Sequence, residues 1–131
     1  MTENELSREI VDAAYKVHVA LGPGLLESVY EIVMKYELEK RGLNVARQLE
    51  VPIIYDGKVL DRSLVSDLLV NDKVIVELKS VEAVIPVHKK QLLTYLKLAD
   101  KRLGLLINFN VNLIKEGISR VANQLVEEVE C

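Results

Sequence analysis

The chain is expected to fold as an α/β domain, a mixed central sheet flanked by helices. Three observations carry this. Helical apolar stripes fill the first third, and turn-bounded runs of branched residues fill the middle. A further helix then separates that middle from a near-continuous apolar run, Leu103 to Phe109.

Each element has its own signal. Within residues 4–21, Leu6, Ile10, Ala13, Ala14, Val17 and Leu21 recur at spacings of three and four, one stripe of a helix. Gly22-Pro23-Gly24 breaks the chain, because glycine frees the backbone and proline removes a donor. A second helix is expected from Leu25 to Lys40, stopped at Arg41-Gly42. Val45 to Tyr55 is rich in branched and aromatic residues, and Asp56-Gly57 is a hairpin turn signal. Leu64 to Val70 and Lys73 to Ser80 read as two further strands joined at Asn71-Asp72. Pro86 suits the first turn of a third helix reaching about Leu98. Leu103 to Phe109 has the continuity of a strand buried on both faces. Beyond it, Ile118 to Val121 reads as a last edge strand, and Ala122 to Val129 as a short terminal helix.

Size and composition set the outer bounds. The 131 residues, half of them hydrophobic, suffice for one globular domain over residues 1–131, with no linker, low-complexity tract or internal repeat. The start, Met1-Thr2-Glu3-Asn4-Glu5, lacks the basic and apolar regions of a secretory signal. No apolar run approaches the roughly 20 residues that cross a bilayer. The single cysteine, Cys131, is read as an uninvolved terminal thiol that fits a reducing compartment. A soluble, cytoplasmic protein with no membrane partner is expected. The net charge of −3 is not the footprint of a dedicated DNA-binding module. Any nucleic acid must therefore meet a local basic patch. Lys89-Lys90, Lys97 and Lys101-Arg102 are candidates, although charge runs on helices are ordinarily solvated faces.

The chemistry concentrates between residues 67 and 95. Along Lys73 to Ser80 side chains alternate, so Val74, Val76 and Leu78 point one way and Ile75, Glu77 and Lys79 the other. Two charged groups on one face of an apolar strand are costly unless solvated, paired or bound to a metal. With the turn at Asn71-Asp72, Asp67 falls roughly opposite Glu77, and the two could bind one cation. Paired carboxylates with a lysine suit phosphodiester hydrolysis: Mg²⁺ takes oxygen ligands, polarises the phosphoryl oxygen and acidifies a bound water. Lys79 could orient that water or stabilise transition-state charge. The competing reading is a cross-strand surface pair worth about 0–1 kcal/mol. Gln91 and Tyr95, at i and i+4 on the following helix, share a side with His88 and could position a phosphate or a metal-bound water. Equally, they could form a solvated face with a partly buried tyrosine.

Here the sequence resembles a known group. Gly24-Leu25-Leu26-Glu27-Ser28-Val29-Tyr30 is similar to the signature of the GxxExxY proteins, within the PD-(D/E)xK nuclease superfamily. The similarity continues through Arg62, Asp67 to Val70, Val74 to Lys79, Pro86 to His88, Gln91 to Leu96 and Leu106 to Phe109, covering roughly residues 5–125. The resemblance implies a restriction-endonuclease-like αβββαβ core. It also implies Mg²⁺ or Mn²⁺ on Asp67, Glu77 and the Leu78 carbonyl, with Glu27 often completing the shell and Lys79 assisting the water. The Gln91…Tyr95 pair resembles the RecB-like branch. Ser66 stands where the superfamily's name-giving proline would be; that proline shapes backbone and binds no metal.

Two further positions have plain structural readings. Glu27 can serve the dipole of its helix while Tyr30 packs. His18, between Val17 and Val19, reads as structural. The expectation is a metal-dependent nuclease whose substrate is DNA before RNA. The rival is a catalytically silent nuclease fold that binds nucleic acid or a protein partner, motivated by the acidic pI near 5.5. The apolar content of so short a chain also admits a homodimer.

Overall fold

The structure, a computed structural model, describes residues 1–126. Helices α1 (Glu3–Leu21) and α2 (Glu27–Lys40) come first, followed by β1 (Val45–Tyr55), β2 (Lys58–Val70) and β3 (Val74–Lys79). Then come α3 (Pro86–Ala99), β4 (Leu103–Asn108), a 3₁₀ turn (Ile114–Gly117) and β5 (Ile118–Ala122). The five strands lie side by side in chain order. All neighbours are antiparallel except β3 and β4, which are parallel and joined by the α3 crossover that parallel pairing requires.

The sheet divides the core into two layers. The α1 stripe (Leu6, Ile10, Ala13, Ala14, Val17) and Tyr30, Met34 and Leu38 of α2 pack on Val74, Val76, Leu78, Leu103, Leu105 and Ile107. On the opposite face a smaller cluster joins Leu92, Tyr95 and Leu96 of α3 to Leu69, Ile75 and Leu106. Strand alternation accounts for this division, with even residues of β3 on the α1–α2 side and Ile75 on the α3 side. At roughly 25 cal/mol per Å² of apolar surface removed from water, the larger layer supplies most of the driving force.

Local chemistry fixes the boundaries. Thr2 caps α1 by accepting from the Glu5 N–H, and the Glu5 carboxylate returns the bond to the Thr2 N–H. The second helix begins at Glu27, two residues later than expected, because Leu26 is extended (φ −68°, ψ 147°) and stands as its N-cap; the Leu25 N–H before it donates to the Tyr30 hydroxyl. Asp56-Gly57 turns with both φ angles positive (55° and 73°), the twist that suits a tight hairpin. In consequence β2 starts at Lys58 and not at Leu64. Residues 58–63 are exposed and lack the alternation that would have marked them as strand. Asn71 and Asp72, also at positive φ, close the next turn.

The edge strand expected at Ile118 to Val121 is present as β5. Of the terminal helix expected over Ala122 to Val129, Ala122 instead ends β5 and residues 123–126 are not helical; the remainder lies outside the described residues, as does Cys131. No helix among the described residues is long and apolar enough to cross a membrane.

Candidate active site

Main-chain pairing between β2 and β3 runs Val70 with Val74, Leu69 with Ile75 and Leu68 with Val76, then stops. The next rung belongs to side chains. The Leu78 N–H donates to Asp67 Oδ2 at 2.8 Å, and the Asp67 N–H donates to Glu77 Oε1 at 3.3 Å. Carboxylate oxygens thus replace carbonyls as acceptors, and the two acids are drawn together where the sequence placed them. The Lys79 carbonyl accepts from the Phe109 N–H at 2.9 Å, on the β4 side. Successive carbonyls of a strand point to opposite edges, so that of Leu78 faces the Asp67 edge.

Burial sets the electrostatics. Glu77 is 9% exposed and Asp67 is half-buried, and neither makes an ion pair within 4 Å among the described residues. Burial first, and then the neighbouring Asp67 charge, push Glu77 up to about 8. Asp67 is also raised, by burial and then by the charges of Glu31 and Glu27, against the Leu78 N–H bond and the Lys79 ammonium. The metal-free pair therefore holds its protons more tightly than free carboxyl groups do, while the Leu78 N–H stabilises charge on Asp67. Ser66 is fully buried; its hydroxyl is near enough to Glu77 to favour the carboxylate but has no partner in hydrogen-bond geometry.

The third helix contributes Gln91 Nε2, which donates to the Tyr95 hydroxyl at 3.1 Å. The buried Tyr95 phenol is raised by burial and then by the charges of Glu77 and Asp67, so this helix faces the pair. His88 is not brought into that group by any contact; its Nδ1 accepts from the Ile85 N–H at 3.2 Å and closes the start of α3. Glu27 stands exposed in the first turn of α2 and accepts from the Ser80 N–H at 3.2 Å, which ties α2 to the residue after Lys79. With Gly24, Ser28, Ser80 and Asn110 it lines a cleft of about 560 Å³.

Two residues of the site escaped the sequence reading. Glu31, buried one turn beyond Glu27, accepts from Arg47 Nε at 2.8 Å and Gln48 Nε2 at 2.6 Å, and its charge acts on Asp67 ahead of Glu27. Its i+4 spacing from Glu27 was the available signal. Asn108, 2% exposed, accepts from the Val81 and Asn110 N–H groups and donates to the Val81 carbonyl. It clamps the crossover that leaves β3, and nothing in its surroundings in the sequence announces that. Elsewhere the structural readings hold. Tyr30 stacks on Phe109 with ring centres 4.2 Å apart and donates to the Gly22 carbonyl, and His18 Nε2 bonds the Val111 carbonyl. Of the basic residues, Lys101 pairs with Asp72 and Arg102 with Asp100.

The donor set fits a hard divalent cation. Among the described residues, no three or more His, Cys, Asp or Glu side chains converge closely enough to hold an ion by themselves. Two carboxylates and one carbonyl remain, all oxygen, and Mg²⁺ ordinarily keeps several waters and needs no complete protein cage. A cation would also relieve the repulsion of two buried acids that have no basic partner.

Comparison with known proteins bears on the family and the fold. The family model of the PD-(D/E)XK nuclease superfamily matches residues 4–121. Among solved structures, the crystal structure of SSO0001 shares the fold at 21% identity and a TM-score of 0.57, over 76% of this chain. The matched part is 50% of that chain, so this protein spans about half the length of that structure. No curated protein sequence matches.

Proposed function

We propose that this chain, which belongs to the PD-(D/E)XK nuclease superfamily, is a metal-dependent nuclease that hydrolyses phosphodiester bonds, in DNA before RNA. The single observation that carries the reading is the rung beyond Leu68 and Val76. There the half-buried Asp67 and the buried Glu77 lie together with no ion pair among the described residues, beside a strand carbonyl and the charge of Lys79. Nucleases of this superfamily usually work with divalent metals, and Mg²⁺ or Mn²⁺ is assigned here. Asp67, Glu77 and the Leu78 carbonyl would hold the ion; Glu27 is assigned to its outer shell.

The ion would polarise the phosphoryl oxygen and acidify a bound water. The chain's own groups do the rest. Binding the ion requires Glu77 to release its proton, so affinity rises with pH up to the neighbourhood of its pKa, about 8. Lys79 supplies fixed positive charge beside both acids and stabilises charge that develops on the phosphoryl group. Gln91 orients the Tyr95 hydroxyl toward the same place, and His88 is assigned to substrate positioning at the start of that helix. The sequence of α3, PVHKKQLLTYLKLA, holds three lysines and no acid; in a chain of net charge −3 it is the surface suited to a phosphate backbone. The finer placement, among the GxxExxY proteins and the RecB-like branch, rests on the Gly24…Tyr30 and Gln91…Tyr95 motifs.

Single- and double-stranded DNA incubated with the protein in Mg²⁺ or Mn²⁺ tests the proposal. Cleavage is expected from the native chain and none from Asp67→Ala/Glu77→Ala. Cleavage that persists in the double variant sinks the site assignment. A folded protein that takes up no Mn²⁺ at millimolar concentration establishes instead a silent nuclease fold.

A further inference from the structure

The β1–β2 hairpin contains an irregularity that the proposed chemistry does not use. Pairing runs from Val45 with Val70 to Arg47 with Leu68 and resumes at Leu49 with Ser66, so Gln48 and Asp67 face each other across a missing rung. At that rung Gln48 has φ 56°. The other non-glycine residues at positive φ among the described residues are Asp56, Asn71, Asp72, Asp100 and Gln124, and all stand in turns or past helix ends. Among the described residues only Gln48 adopts this conformation inside a strand. A left-handed glutamine is strained and persists only where its surroundings hold it.

The kink turns the hairpin over. In a regular strand residues four apart share a face. Yet Val45 lies in the α1–α2 layer, whereas Leu49 packs in the α3 layer. Across the ladder, Leu68 and Leu64 divide in the same way. Both strands therefore change faces at Gln48 and Asp67. The change carries Ser66 to the Glu77 side and leaves Asp67 at the pivot. What holds the pivot is polar: Gln48 Nε2 and Arg47 Nε both donate to Oε1 of the buried Glu31 on α2.

We propose that Gln48 is a positioning residue for Asp67, keeping β1 out of the ladder at this rung through its bond to Glu31 so that Asp67 can reach the Leu78 N–H and face Glu77. The inference rests on the metal-site reading but is tested apart from it. The variants are Gln48→Val, whose branched side chain opposes the left-handed conformation, and Gln48→Gly, which permits it but loses the amide. Two readouts are taken on folded protein: hydrogen exchange of the Leu78 amide relative to global unfolding, and Mn²⁺ affinity by calorimetry. Leu78 should exchange about tenfold faster in both variants, and Mn²⁺ affinity should fall about tenfold or more, the scale of lost outer-shell support. Because Gln48 acts through Glu31, Gln48→Gly should cost nothing further in a Glu31→Ala background. If the native chain takes up no Mn²⁺, the nuclease reading fails and the Leu78 exchange still decides this one. Unchanged Leu78 protection in both variants overturns the proposal, as does unchanged Mn²⁺ affinity where the native chain binds the ion. Gln48 would then serve the hairpin alone.

Discussion

The two ends of the β2–β3 ladder are built on opposite principles. At the inner end Val70 faces Val74 beside a tight turn, both fully buried among the residues of α1 and α2. At the outer end, three rungs away, main-chain pairing gives way to two carboxyl groups that accept from each other's strand. One end stabilises the fold by excluding water from apolar surface. The other holds acids in a place where their ionisation is opposed. A fold that tolerates such an end draws its stability from elsewhere, as expected where a strand terminus serves binding.

Breaking the polar end should change activity most. Asp67→Ala or Glu77→Ala should lower DNA cleavage on the order of 10³-fold while leaving the fold intact, the scale of losing a metal's charge stabilisation. Circular dichroism and a cleavage time course check the two halves of that statement. Breaking the apolar end should do the reverse: Val74→Ala should cost roughly 1–3 kcal/mol in urea unfolding without altering Mn²⁺ affinity per folded molecule. A similar structural loss is expected from Gly117→Ala. A Cβ there would stand 2.0 Å from the Asn108 carbonyl oxygen, so the clamp on the crossover must move.

The pH dependence separates the ends again. Because Glu77 is raised from 4.5 to about 8 in the folded chain, its contribution to stability is complete below pH 4.5 and is lost as pH rises through about 8. Raised Asp67 acts in the same direction. Metal-free protein should therefore lose stability on the order of a few kcal/mol between pH 5 and 8, and melt at progressively lower temperature. Glu77→Gln should flatten that slope and Mn²⁺ should offset it, both read by calorimetry. A flat native profile would contradict the buried-pair description. The smallest effect belongs to neither end. Removing the exposed Lys35–Glu39 pair of α2 by Lys35→Ala should shift stability by about 0.5 kcal/mol or less, within the scatter of a urea titration.

Much of this was legible in the sequence, for a physical reason. Apolar periodicity and turn residues act locally, so the stripe of α1, the Asp56-Gly57 hairpin and the alternation that divides β3 could be read residue by residue. The rung of Asp67 and Glu77 followed from the turn at Asn71-Asp72 and simple counting. The hidden features depend on contacts distant along the chain. Glu31 became part of the site through donors 16 and 17 residues away, and Asn108 through a loop 27 residues away. Gln48 is the sharpest case: Val45 and Leu49, four apart in one strand, would share a face in a regular ladder, yet they pack in opposite layers. The late start of α2 and the extension of β5 to Ala122 show the same limit at boundaries, where one residue's backbone angles or one more strand rung decides.

The proposed chemistry depends on Asp67 and Glu77 holding one divalent cation. Anomalous diffraction from crystals soaked in Mn²⁺ tests it most directly. One strong peak is expected, bounded by Asp67, Glu77 and the Leu78 carbonyl at about 2.0–2.2 Å from their oxygens, and it should vanish in Glu77→Gln. No peak at saturating Mn²⁺, or a peak elsewhere that survives the substitution, would contradict it.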